Sequence, residues 1–187
     1  MKKVLLIFIA FLFLTSSCFA DVVDIDFDKT INIKYQKKVM EIGFKILNAN
    51  RIEHRVVFNF DKSKTVNAYA NPIDRSVTML GGIFPYFDDD NEIAAILSHE
   101  IGHQIDFYEG GSFRILAMNF FPWDTRRYEK KADFAGIDLM VKAGYNPVAM
   151  ITAMNKCAGQ DHWLWINPFI NGIFFATHPI TSKRLAY

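Results

Sequence analysis

The run His99-Glu100-Ile101-Gly102-His103 constrains this chain more than any other stretch. Histidines at i and i+4 sit one turn apart on one face of an α-helix, whereas in a strand they would lie about 13 Å apart. The flanks agree with a helix. Asp88, Asp89 and Asp90 put negative charge at its start, Asp89 with Glu92 reads as a capping box, and Ile93, Ile96, Leu97 and Ile101 line it with apolar side chains. The pattern predicts a helix ending near Tyr108, stopped by Gly110-Gly111, with irregular chain over 111–124.

On such a helix His99 and His103 can both reach a single Zn²⁺, and Glu100 stands beside them, placed to take a proton from an attacking water. The plainer alternative is a pair of hydrogen-bonded core histidines. Catalytic zinc takes three protein ligands and keeps one position open. One extended pattern needs Gly at 106 and His at 109; the chain has Asp106 and Glu109. Glu109 competes as third ligand but follows the helix too closely to return to its own face. Glu129 and Asp133, again at i and i+4, begin 26 residues past His103. One of these carboxylates could bind metal while the other accepts the free ring N–H of a ligand histidine. A solvated charged turn competes with that reading, because Arg126, Arg127, Lys130 and Lys131 surround the pair.

The rest of the chain predicts one compact α+β unit. Ile31, Tyr35, Val39, Ile42 and Ile46 fit an amphipathic helix over about 30–51. Short strands follow at Val56, Phe58 and Phe60, at 65–70 and at 76–80, separated by polar turns and ended by Gly81-Gly82. A further helix is expected from Thr125 to Ala143 with Gly144 behind it, and another after Asn146-Pro147. Half the residues are apolar and 18 are Phe, enough for a substantial core and too many for a disordered chain. Twenty-one basic residues against 20 acidic leave no basic stripe, so nucleic acid is excluded as a partner.

Lys2 and Lys3, the apolar run over 4–14, and Cys18 and Ala20 before Asp21 describe a secretory signal peptide over residues 1–20. The less favoured alternative is a lipoprotein acylated at Cys18, against which Thr15 stands where Leu is usual. Cleavage after Ala20 leaves Cys157 alone, read as a small buried side chain on a helix. The aromatic stretch 163–175 is too broken by Asn-Pro and Asn-Gly to span a membrane. It reads as pocket wall or core, or as a peripheral membrane or envelope-protein contact. His54 and His162 read as surface or capping residues.

Taken together, these segments resemble the M48 family of zinc metallopeptidases, a gluzincin family. The resemblance runs in order from Val56 to Arg184. Asn67-Ala68-Tyr69-Ala70 is similar to the family's edge strand, and Ser76-Val77-Thr78-Met79-Leu80-Gly81-Gly82-Ile83-Phe84 to its next strand and turn. Asn91 to Ser98 leads into HExxH as the family does. Glu129 and Asp133 match its ExxxD motif, Ala143-Gly144-Tyr145-Asn146-Pro147 its AGYDP-like corner, and Thr177-His178-Pro179 with Arg184 its terminal segment. The resemblance implies one Zn²⁺ held by His99, His103 and Glu129, with Glu100 as general base and Asp133 in support. It further implies that His178 lies near the open zinc position, that Arg184 orients the site, and that residues 67–70 bind substrate.

The expectation is a mainly helical α+β domain over 21–187, with a small three-stranded sheet packed beside the HExxH helix. In near-minimal form it would be an exported, periplasmic zinc endopeptidase acting on peptides or unfolded proteins. The alternative is a weakly active, self-blocked chaperone or assembly factor of the cell envelope, motivated by the Phe-rich tail and by blocking through His178.

Overall fold

The structure, a computed structural model, describes residues 27–87, 89–120 and 125–158. The chain divides into two compact units, 1–31 and 32–187; of the described residues, only 27–31 at the start of the first helix fall in the former. The signal segment, Cys18, Arg184, His178, His162 and the aromatic stretch 163–175 lie outside the described residues.

Helix α1, Phe27–Ala49, buries Val39, Ile42 and Ile46 and half-buries Tyr35, the stripe its spacing calls for. Its end is a Schellman turn. Ile52 N–H donates to Leu47 O at 3.0 Å and Arg51 N–H to Asn48 O at 3.2 Å, with Arg51 at φ 53.

Three strands follow: β1 Val57–Asp61, β2 Ala68–Asn71 and β3 Ser76–Leu80. Their spatial order is β1-β3-β2, with β1 parallel and β2 antiparallel to β3. Strand β2 is shorter than the spacing predicts: Asn67 precedes it, its carbonyl accepting from Leu80 N–H at 2.9 Å. Sheet order puts β1 and β2 at the two edges, and α1 treats them differently. The Gln36 amide donates to Phe58 O at 2.8 Å and accepts from Phe60 N–H at 2.7 Å, pairing with β1 as a neighbouring strand would. No described strand pairs with the outer edge of β2.

Helix α2 runs Asp90–Phe120, past both Gly110 and Gly111. This corrects the expected stop at Tyr108 and the expected irregular chain over 111–120. A glycine ends a helix by adopting positive φ, and among the described glycines only Gly144 does so. With right-handed backbone a Gly pair costs about 1 kcal/mol each against Ala and leaves the hydrogen-bond ladder intact. The start of α2 is also only half as expected. Asp89 Oδ1 accepts from Asn91 N–H at 2.9 Å, and the Asn91 backbone and side-chain amides hold the Asp89 carboxyl below its usual range. Glu92 turns to Lys156 at 2.6 Å rather than completing a capping box, tying α2 to the last helix.

Helix α3, Thr125–Lys142, ends in a second Schellman turn: Tyr145 N–H to Met140 O at 2.9 Å, Gly144 N–H to Val141 O at 3.1 Å, Gly144 at φ 74. Asn146 Oδ1 then accepts from Val148 N–H at 3.0 Å and caps α4, Val148–Ala158, which buries Cys157. The result is a mainly helical α+β fold with its small sheet against α1 and α2. No described helix is long and apolar enough to cross a membrane.

Candidate metal centre

The site is built where α2 and α3 cross, and small residues let them cross closely. A Cβ on Gly136 would stand 3.1 Å from His99 N and 3.3 Å from His99 Cα; one on Gly102 would meet Ala132 O at 3.1 Å. Neither position admits a larger side chain without spreading the helices. That approach sets the ExxxD face of α3 against the HExxH face of α2.

Three side chains then converge. His99 Nε2 and His103 Nε2 are 3.1 Å apart, His99 Nε2 lies 3.4 Å from Glu129 Oε2, and His103 Nε2 lies 3.3 Å from Glu129 Oε1. All three residues are buried, Glu129 to 2 % exposure. A tetrahedral zinc site with arms of about 2.0–2.1 Å has edges of about 3.3–3.4 Å, so this donor set fits Zn²⁺ in size and chemistry. It is the one such His/Cys/Asp/Glu group among the described residues.

Asp133 supports it from one turn along α3. Its Oδ1 is 2.9 Å from His99 Nδ1. An ionised carboxylate only accepts, so a ring proton on Nδ1 would face Asp133 and would leave the Nε2 lone pair facing the cluster. Glu100, on α2 between the two histidines, is 2 % exposed. Three carboxyl groups and two imidazoles are thus buried together, an arrangement a divalent cation offsets.

Glu109 stays away. Its side chain is 64 % exposed and 4.0 Å from Lys131, which also pairs with the buried Asp106. Of the sequence-predicted edge residues, Ala68, Tyr69 and Ala70 lie in β2, with Ala68 and Ala70 buried and Tyr69 half-buried.

Three further residues, Gln104, Gly102 and Gly136, contribute to the site. Gln104 Nε2 donates to Asn71 O and to Ser76 O, both at 2.8 Å, fastening the β2–β3 turn to α2 beside His103. A lone Gln carries no signal for that. Gly102 and Gly136 do carry one, since a glycine inside a helical pattern marks close packing. The half-buried His54 stacks on the exposed Tyr108, ring centroids 3.7 Å apart, a partner its sequence does not reveal.

The sequence profile of Peptidase family M48 matches residues 34–106 and 110–187. The "Mitochondrial metalloendopeptidase OMA1" of Arabidopsis thaliana is 26% identical over 144 residues, 64% of this chain and 28% of the relative. Its Saccharomyces cerevisiae counterpart of the same name is 24% identical over 179 residues, 79% of this chain and 51% of the relative. The "Beta-barrel assembly-enhancing protease" of Escherichia coli K12 is 22% identical over 184 residues, 79% of this chain and 37% of the relative. The chain therefore spans from 28% to 51% of the length of these relatives. The two matched segments carry the whole His-His-Glu cluster and most of the chain, and on that ground the chain belongs to peptidase family M48.

Proposed function

We propose that the protein is a zinc-dependent endopeptidase acting on exported or cell-envelope proteins. The observation that carries this reading is the buried cluster of His99, His103 and Glu129 with Glu100 on the same helix. These three residues would hold one Zn²⁺, which when bound polarises a scissile carbonyl and acidifies water.

The remaining chemistry belongs to the chain. Glu100 takes the proton of the attacking water and later delivers one to the leaving amine. Asp133 holds the His99 ring in its tautomer and orientation. On the family resemblance, His178 donates to the tetrahedral oxyanion and Arg184 orients the site. The β2 edge, with Asn67, Ala68, Tyr69 and Ala70, holds an extended peptide by strand addition. The Gln36 amide already pairs with β1, so β2 is the edge on which a substrate strand can be added. Residues 1–20 serve as an export signal cleaved after Ala20, giving a periplasmic enzyme that begins at Asp21. The name of the Escherichia coli relative supports an envelope setting.

The test is a casein or peptide-library assay on zinc-loaded protein. Wild type should cleave, chelator should stop it, and Glu100→Gln should keep one zinc per chain by mass spectrometry while losing nearly all hydrolysis. An active Glu100→Gln protein would remove Glu100 as the base. A zinc-loaded wild type that cleaves nothing would favour the chaperone or assembly-factor alternative.

A further inference from the structure

A cavity of about 220 Å³ opens further along α2, between the α1–β1 connection, the β2–β3 turn and residues 104–108. Ile52, Val56 and Ile105 make part of its lining apolar, while Arg55, Arg75 and His54 bring cationic or polarisable groups to it. Tyr108 organises that side. His54 stacks on one part of it, and the Arg75 guanidinium lies 5.8 Å from its ring centroid. Among the described residues neither Arg55 nor Arg75 pairs with a carboxylate.

The backbone at Arg75 adds a second observation. Its φ is 59, the left-handed region that Gly or Asn fills at least cost. Arg75 O accepts from Val57 N–H at 2.9 Å, and Asp74 Oδ1 accepts from Ser76 N–H at 2.9 Å, so the turn holds it there. The turn thereby fixes where the exposed Arg75 side chain leaves the backbone, at the rim of the cavity it lines beside Tyr108.

The cavity also lies where a substrate strand would leave the sheet. Gln104 fastens Asn71 and Ser76 to α2 immediately after His103. A peptide paired along β2 therefore leaves the edge at Pro72, which lines the cavity. Tyr108 is five residues past His103, about 7.5 Å along the helix axis. That is the length of about two extended residues.

We propose that this cavity is a subsite for a carboxylate carried on an otherwise apolar portion of the peptide, two or three residues from the bond cut. Arg75 and Arg55 take the carboxylate in charge-assisted hydrogen bonds, and the apolar lining takes the carbon skeleton. The inference rests on the peptidase reading. The carboxylate comes from an acidic side chain or from a free chain terminus, and the experiment separates these sources.

Fluorescent peptides of one sequence are compared with Glu or Gln at each position flanking the cleaved bond, with free or amidated C-termini. Binding is read by anisotropy on zinc-loaded Glu100→Gln protein, and KM on the zinc-loaded enzyme with intact Glu100. Each is repeated with Arg75→Gly and Arg75→Lys. Glycine adopts φ 59 without strain, so Arg75→Gly should melt no lower than its parent. The carboxylate peptide should bind about tenfold tighter than its neutral twin. Arg75→Gly should abolish that difference and raise KM for the carboxylate peptide about tenfold, with Arg75→Lys keeping part of it. A preference that follows Glu against Gln identifies a side chain; one that follows free against amidated ends identifies a terminus. No preference in the parent protein, or a preference that survives Arg75→Gly, overturns the subsite. Binding through Arg75 without cleavage of any peptide would overturn the endopeptidase reading and leave the carboxylate site standing.

Discussion

At the scale of single residues, two acids on different helices compete for the third ligand position, and their surroundings decide between them. Glu129 is 2 % exposed with each carboxylate oxygen near an imidazole nitrogen, at 3.4 and 3.3 Å. Glu109 is 64 % exposed beside Lys131. Glu129→Ala should therefore lower zinc affinity most. Asp133→Ala should lower it about 10–100-fold, by freeing the His99 ring, and Glu109→Ala hardly at all. A chelator titration ranks the three, and a large effect at Glu109 alone would reverse the ligand assignment. This much was legible in the sequence because i, i+4 spacing leaves little freedom for where two side chains on a helix point. The choice between Glu129 and Asp133 was not legible from spacing, since both share one face. It depends on helix crossing, which brings Glu129 to both Nε2 atoms and Asp133 to His99 Nδ1. Gln104 and Arg75 were illegible for a related reason: the role of each comes from a turn that folds against α2 from a distant part of the chain.

At the scale of elements, the site depends on how closely α2 and α3 approach, and two glycines allow a contrast. Gly136 sits at the crossing, where an added Cβ would meet His99 N at 3.1 Å and Met150 Cε at 2.8 Å. Met150 can move, but the His99 backbone moves only with its helix. Gly136→Val should cost about 1–3 kcal/mol by overpacking and should also weaken zinc binding. Gly144 has nothing within 4 Å of an added Cβ, but its φ is 74. Gly144→Ala should cost about 1–2 kcal/mol of backbone strain with zinc affinity unchanged. Denaturant melts paired with zinc titrations test both. If Gly136→Val binds zinc as tightly as wild type, the crossing does not set the metal geometry. The sequence marked Gly144 correctly as a helix end and Gly110-Gly111 wrongly, although the residue type is the same. What differs is the sign of φ, which for Gly110 and Gly111 the surrounding sequence leaves open. Sheet order was unreadable too. Three strands in sequence suggest neighbours in order, whereas β3 inserts between β1 and β2 and makes one parallel pair.

At the scale of the whole molecule, the same cluster that would carry chemistry also joins the fold together. Glu129 and Asp133 come from α3, His99 and His103 from α2, and the Gln104 amide extends the connection to the sheet. Bringing three carboxyl groups into a buried site costs solvation that a bound cation offsets. Metal binding to the native state alone should therefore stabilise it, by about 2.7 kcal/mol at a free zinc concentration one hundred times Kd. For a chain of this length that corresponds to a melting-temperature rise of roughly 5–10 °C. The rise should shrink as pH falls, because the histidines bind zinc only when neutral and the carboxylate only when ionised, so protons compete with the metal. Calorimetry of zinc-loaded and chelated protein, at neutral and mildly acidic pH, measures this. The increment should vanish in Glu129→Ala and persist in Glu100→Gln, since the second variant keeps every ligand. A chelated protein that melts with the loaded one at neutral pH would mean that the cluster is held by hydrogen bonds alone. The His99–His103 contact at 3.1 Å would then be one imidazole donating to the other, the plainer reading of the sequence motif.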